Sequence, residues 1–118
     1  MAIASGGLVA AGVEVRNWSY LGENNPSPTF NGLVAEGNNS SNNYGVWNLD
    51  CYFNLKIRNS RMTGATAALY SQNDGLGQTT TYVSNSEFDG PTLNYSATAI
   101  CAGSTDANGV FYANSCPQ

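Results

Sequence analysis

Apolar and polar residues alternate along much of this chain. Cys51, Phe53, Leu55 and Ile57 fall on one face of an extended segment, and Tyr52, Asn54, Lys56 and Arg58 on the other. Thr79, Thr81 and Val83 alternate in the same way with Thr80, Tyr82 and Ser84. Period-two runs rich in β-branched and aromatic residues, bounded by Asn and Gly, predict strands. No window sustains the i, i+3, i+4 apolar stripe of a helix, so the expected fold class is all-β.

One phrase recurs on top of that alternation. "IRNSRMTG" runs from Ile57 to Gly64 and returns as "VSNSEFDG" from Val83 to Gly90, with a weaker copy, "VRNWSYLG", from Val15 to Gly22. Each copy sets an inward apolar residue two positions before an Asn, then an apolar residue three positions on and a Gly two beyond it. Asn tolerates left-handed backbone angles and bonds its own neighbouring amides, so it turns one strand into the next over a short corner. Second strands are expected after the phrases at "GLVAEG" from Gly32, "AALYSQ" from Ala67 and "TAICAG" from Thr98. Units of this kind predict a short right-handed parallel β-helix, a solenoid of about three coils with long Asn/Ser/Gly-rich loops. Val15, Ile57 and Val83 would stack inside it, and Asn17, Asn59 and Asn85 would form an amide ladder. The alternative is a small antiparallel sandwich in which Asn-Ser pairs mark hairpin turns.

Composition narrows the partners. Only 10% of the 118 residues are charged, against roughly 25% in an ordinary soluble domain. Amides and hydroxyls take their place, with 16 Asn, 12 Ser and 9 Thr, as expected of an extracellular or virion-surface β-rich protein. A net charge of −4 offers no Lys/Arg cluster to neutralise phosphates, so nucleic acid is not an expected partner. Lys56, Arg58 and Arg61 fall within six positions and are read as a solvated strand face. Histidine is absent, which removes the commonest general base and metal ligand. No CxxC occurs, so no zinc site and no cofactor is expected. Cys101 and Cys116 bracket the C-terminal tail and are expected to be disulfide-bonded, with Cys51 a buried free thiol. The N-terminal run "MAIASGGLVAAGVEV" has no basic leader and meets Glu14 well short of a membrane span, so neither a classical signal peptide nor a span is expected.

From Ile57 onward the order "NSRMTG", "NSEFDG" and "ICAGSTDANGVFYANSCPQ" resembles a C-terminal module of bacterial and phage β-helix repeat proteins of the pectin-lyase-like superfamily. The resemblance implies a repetitive extracellular scaffold closed by a Cys-containing strand, an Asp-containing loop and a final Cys. The chain is read as a single domain with an N-terminal assembly segment (1–14), coils (15–100) and a Cys-stapled cap (101–118). Val110, Phe111 and Tyr112 would belong to that cap.

Enzymes of that superfamily use clustered Asp, or Lys/Arg with calcium, on one face. Here Glu87 should lie opposite Arg61, and Asp89 opposite Thr63, so no pair of acids is stacked, and catalysis is not expected. Asp106 and Gln72 begin or precede turn sequences ("DANG", "QNDG") that fall short of the six or more oxygens of a calcium site. Two non-enzymatic readings remain beside a third, a fragment of a polysaccharide-degrading enzyme. One is a structural building block of a virion fibre, capsid decoration or surface filament, as a homo-oligomer or within a larger assembly. The other is a glycan-binding adhesion module using Trp18, Tyr52 and Tyr82, with Trp47 expected in the core.

Overall fold

The computed structural model describes residues 1–16, 28–49, 54–73 and 79–118. Strands come in triplets. The first is β1 (Ala2–Ser5), β2 (Val9–Arg16) and β3 (Thr29–Asn31). The second is β4 (Val34–Asn38), β5 (Asn42–Leu49) and β6 (Leu55–Arg58). The third is β7 (Arg61–Gly64), β8 (Ala67–Gln72) and β9 (Thr80–Ser84). The fourth is β10 (Glu87–Asp89), β11 (Thr92–Tyr95) and β12 (Thr98–Ala102), after which β13 (Ser104–Asp106) and β14 (Phe111–Tyr112) close the chain. Among the described residues there is no helix.

Each strand from β1 to β10 pairs in parallel with the strand three places on. Sheet I runs β1-β4-β7-β10-β13, sheet II β2-β5-β8-β11 and sheet III β3-β6-β9-β12. The one antiparallel partner is β14, on the outer edge of β13. Parallel pairing argues directly against the antiparallel sandwich. Inward rows from all three sheets meet in one core, with Met62 and Phe88 from sheet I, Val46 and Leu69 from sheet II, and Leu55 and Ile57 from sheet III all fully buried. The core also carries polar groups. Asn48 Nδ2 donates to Thr81 Oγ1 at 2.8 Å, and Ser71 Oγ lies 3.0 Å from the same hydroxyl, all three residues fully buried.

The recurring phrase now has a physical account. Asn59 and Asn85 stand at equivalent corners between sheets III and I with φ of 50° and 47°. The next residues, Ser60 and Ser86, form a hydroxyl ladder. Ser60 Oγ donates to the Arg58 carbonyl and accepts from the Leu33 amide, while Ser86 Oγ donates to the Ser84 carbonyl and accepts from the Ser60 amide. Met62 and Phe88 point inward in register. Gly64 closes the phrase because the chain there abuts the backbone of sheet II: a Cβ would sit 2.4 Å from the Ala67 carbonyl oxygen.

The first copy of the phrase is not equivalent to the other two. Val15 pairs with Asn48 in sheet II, not with Ile57. The row through Ile57 is Phe30–Ile57–Val83–Cys101 in sheet III. Gly32 and Gly103, with φ of 75° and 70°, take the corner position of Asn59 and Asn85. Glycine reaches the left-handed region as readily as Asn, so "FNGLVAEG" and "CAGSTDA" occupy the place of the phrase without spelling it. Consequently sheets II and III hold four strands each where three units were expected. "GLVAEG", "AALYSQ" and "TAICAG" fall on sheets I, II and III respectively instead of being equivalent. Residues 1–14, expected to lie outside the coils, hold β1 and most of β2.

Candidate functional site

The two ends of the triplet array differ. At the C-terminal end the chain folds back over its own last strands. β14 covers β13, the Gly103 amide donates to the Ala113 carbonyl at 3.1 Å, and the Thr92 amide of β11 donates to the Pro117 carbonyl at 3.0 Å. Cys101, the last member of the inward row of sheet III, is disulfide-bonded to Cys116, and Cys116 and Pro117 are buried. Sheets I, II and III are thus each tied to one tail.

Asp106 organises that tail. Its Oδ1 accepts from the Asn108 and Val110 amides at 2.9 and 3.0 Å, and its Oδ2 accepts from the Tyr112 hydroxyl at 3.1 Å. The Val110 amide foremost, then the Asn108 amide and the Tyr112 hydroxyl, hold its carboxyl below the ordinary range against the opposing effect of desolvation. The same bond raises the Tyr112 phenol. Both carboxylate oxygens of Asp106 are therefore engaged in turn geometry. Val110 and Phe111 remain exposed, so the seal is made by Cys116, Pro117 and backbone hydrogen bonds instead of by those side chains.

No comparable cover exists at the other end among the described residues. β1, β2 and β3 are each the last strand of their sheet. Their inward residues Val13, Val15 and Phe30 pack against the core yet stay half-buried, whereas Ile57, Met62 and Leu69 further along are fully buried. Ile3, Leu8 and Val9 are exposed beside them.

On the flanks, an open groove of about 590 Å³ follows the corner, lined by residues that include Asn59, Arg61, Asn85 and Glu87. Arg61 bridges Glu87 at 3.5 Å and Asp89 at 3.9 Å, in the expected register. Glu87 is the groove's one carboxylate among its described lining residues, whereas glycoside hydrolysis takes two across one groove. Asn59 Nδ2 donates to Asn31 Oδ1 at 2.9 Å, and the main-chain amides of Asn59 and Asn85 donate to the Ser84 and Ala102 carbonyls. Asn17 lies outside the described residues.

Among the aromatic candidates, Trp18 and Tyr52 lie outside the described residues, as does Cys51. Tyr82 is on the outward face of sheet III, between Lys56 and Ile100 in register. Trp47 is not in the core. It shares the outward row Glu14–Trp47–Tyr70–Leu93 of sheet II and is half-buried there. Tyr70 stacks on it at 6.1 Å with ring planes 9° apart, and the Arg16 guanidinium lies 5.8 Å from its centre. With Tyr44 at 5.4 Å, the indole is packed among its neighbours and is not a free platform.

The four basic residues divide in a way the sequence did not show. Arg16 pairs with Glu14, and Arg61 with Glu87 and Asp89. Lys56 and Arg58 have no such partner among the described residues. Their alternation with Leu55 and Ile57, set opposite "TYVS", was the available signal that they and Tyr82 share one face. No helix among the described residues is long and apolar enough to cross a membrane. No protein-family model, curated protein or solved structure matches this chain.

Proposed function

We propose that this chain is a short right-handed parallel β-helix acting as a non-enzymatic structural end-module of an extracellular or virion-surface assembly. The observation that supports this reading is the difference between the ends: one is closed by β14, the Cys101–Cys116 bridge and Pro117, and the other leaves three parallel strand edges without a partner among the described residues. The recurrence of pairing every third strand supports the solenoid, and parallel crossovers of this kind are almost always right-handed. Exposed edges and half-buried apolar ends are surfaces that natural proteins cover or pair. Because the C-terminal end is closed, copies do not stack head to tail into a filament. The open end instead pairs once with a second open end about a twofold axis. Low charge leaves little repulsion to keep two such ends apart.

Sedimentation across a concentration series tests this. The purified chain is expected to form a discrete dimer, and Ile3→Lys with Val9→Lys to return it to a monomer of unchanged circular dichroism. A monomer at every concentration, or filaments of indefinite length, would contradict it. Turnover of acidic or neutral glycans is expected to be absent with or without calcium. Activity lost in Glu87→Gln would reverse the non-enzymatic reading.

A further inference from the structure

The acidic residues are unevenly distributed among the three sheets. The outward rows of sheet I carry Glu36, Glu87 and Asp89, and that of sheet II carries Glu14. The outward face of sheet III carries no carboxylate among its described residues. It presents Thr29, Lys56, Tyr82 and Ile100 in one row, and Asn31, Arg58, Ser84 and Ala102 in the next. In a chain of net charge −4, this is the face where two cations stand without a counter-ion among the described residues. Lys56 and Arg58 are two residues apart on one strand, which sets their backbones about 7 Å apart on the same side. Tyr82 and Ser84 stand opposite them one strand spacing away, about 4.8 Å. Together with Ile100 and Ala102 they border a cleft of about 230 Å³. Tyr82 and Ile100 are 39% and 46% exposed, so the apolar wall of the cleft is open to solvent.

We infer that this face binds an acidic saccharide, a pyranose bearing a carboxylate or sulfate. Its anionic group meets Lys56 and Arg58, the guanidinium matching a carboxylate or sulfate through two parallel donors. Its apolar C–H face lies against Tyr82 and Ile100, and the Tyr82 and Ser84 hydroxyls meet its hydroxyl edge. A neutral sugar leaves the cations unused, and a bare anion leaves the apolar wall unused, so the combination selects a ring that carries charge. The site lies on the flank, away from both ends, and does not depend on the assembly reading.

Titration of the whole chain with a uronic-acid hexasaccharide, followed by calorimetry or amide chemical shifts, tests the inference. Binding that weakens as salt rises is expected, because exposed charges are screened beyond about 8 Å at physiological ionic strength. Lys56→Gln with Arg58→Gln is expected to weaken it at least about tenfold, and Tyr82→Ala to weaken it separately. Arg61→Gln, on a different face, is expected to leave it unchanged. All these side chains point outward, and the intact Cys101–Cys116 bridge with unchanged circular dichroism verifies that each variant is folded. The carboxyl-reduced hexasaccharide and inorganic sulfate alone are each expected to bind more weakly by a similar factor. Four results would overturn the proposal: no binding of the acidic hexasaccharide, equal binding of its carboxyl-reduced form, undiminished binding by the double variant, or equally tight binding of polyglutamate or single-stranded DNA.

Discussion

Ile57 sits at the centre of the inward row of sheet III, with Phe30 on one side and Val83 on the other, fully buried. Truncating it to Ala removes apolar contacts from a site that rigid strands on both sides hold open. A loss of about 2–5 kcal/mol is expected in denaturant unfolding. Gly64→Ala is expected to be worse tolerated than its size suggests, because the new methyl meets main-chain atoms that cannot rotate away. At the corner, Asn59→Val is expected to destabilise more than Asn59→Gly, since φ of 50° is strained for a β-branched residue and free for glycine. That same freedom explains why the sequence revealed only part of the repeat. Asn and Gly satisfy one backbone requirement with different letters, so Gly32 and Gly103 were not visible as counterparts of Asn59 and Asn85.

At the scale of the elements, the alternation of Leu55 to Arg58 and of Thr79 to Ser84 was legible because each strand has a single buried face. The facing of sheet II was not. Its inward row includes Asn48 and Ser71, fully buried and hydrogen-bonded to Thr81, while Trp47 points outward into an aromatic cluster, so hydrophobicity pointed the wrong way. The C-terminal tail was legible through its two cysteines. Reducing the bridge frees a loop of sequence separation 15, and a loss of about 3 kcal/mol is expected in the chain-entropy account. Thiol labelling during unfolding should detect release of β14 and Pro117 before the inner strands. Asp106 adds a pH dependence to the same element. Its carboxyl titrates lower in the folded chain than in the unfolded one, so its contribution is present above the ordinary carboxylate value and is lost as pH falls through the lowered one, below about pH 4. The raised Tyr112 phenol acts at the other limit: its contribution is present below the ordinary tyrosine value and is lost as pH rises through the raised one. Asp106→Asn is expected to flatten the acid limb of the stability profile measured by thermal melts.

At the scale of the whole molecule, the triplets form an array with a closed end, an end left open among the described residues, and three chemically distinct flanks. Repetition of sequence indicated such an array and the two cysteines indicated its sealed end, but the seal itself also uses hydrogen bonds between distant segments, such as the Thr92 amide with the Pro117 carbonyl. Those contacts leave no local pattern in the letters. Lys56 and Arg58 were legible as cations, but that no carboxylate pairs with them among the described residues follows from where the acids of other strands fall. The central claim is that the open end is an association surface and the closed end is not. Residue-resolved hydrogen–deuterium exchange at low and high protein concentration measures it most directly. The account predicts that amides of Ala2–Ser5 and Val9–Arg16 slow markedly as concentration rises, while those of Thr92–Tyr95 and Phe111–Tyr112 exchange at the same rate throughout. Exchange at the N-terminal strands that is independent of concentration, or protection that grows at the C-terminal end instead, would contradict it.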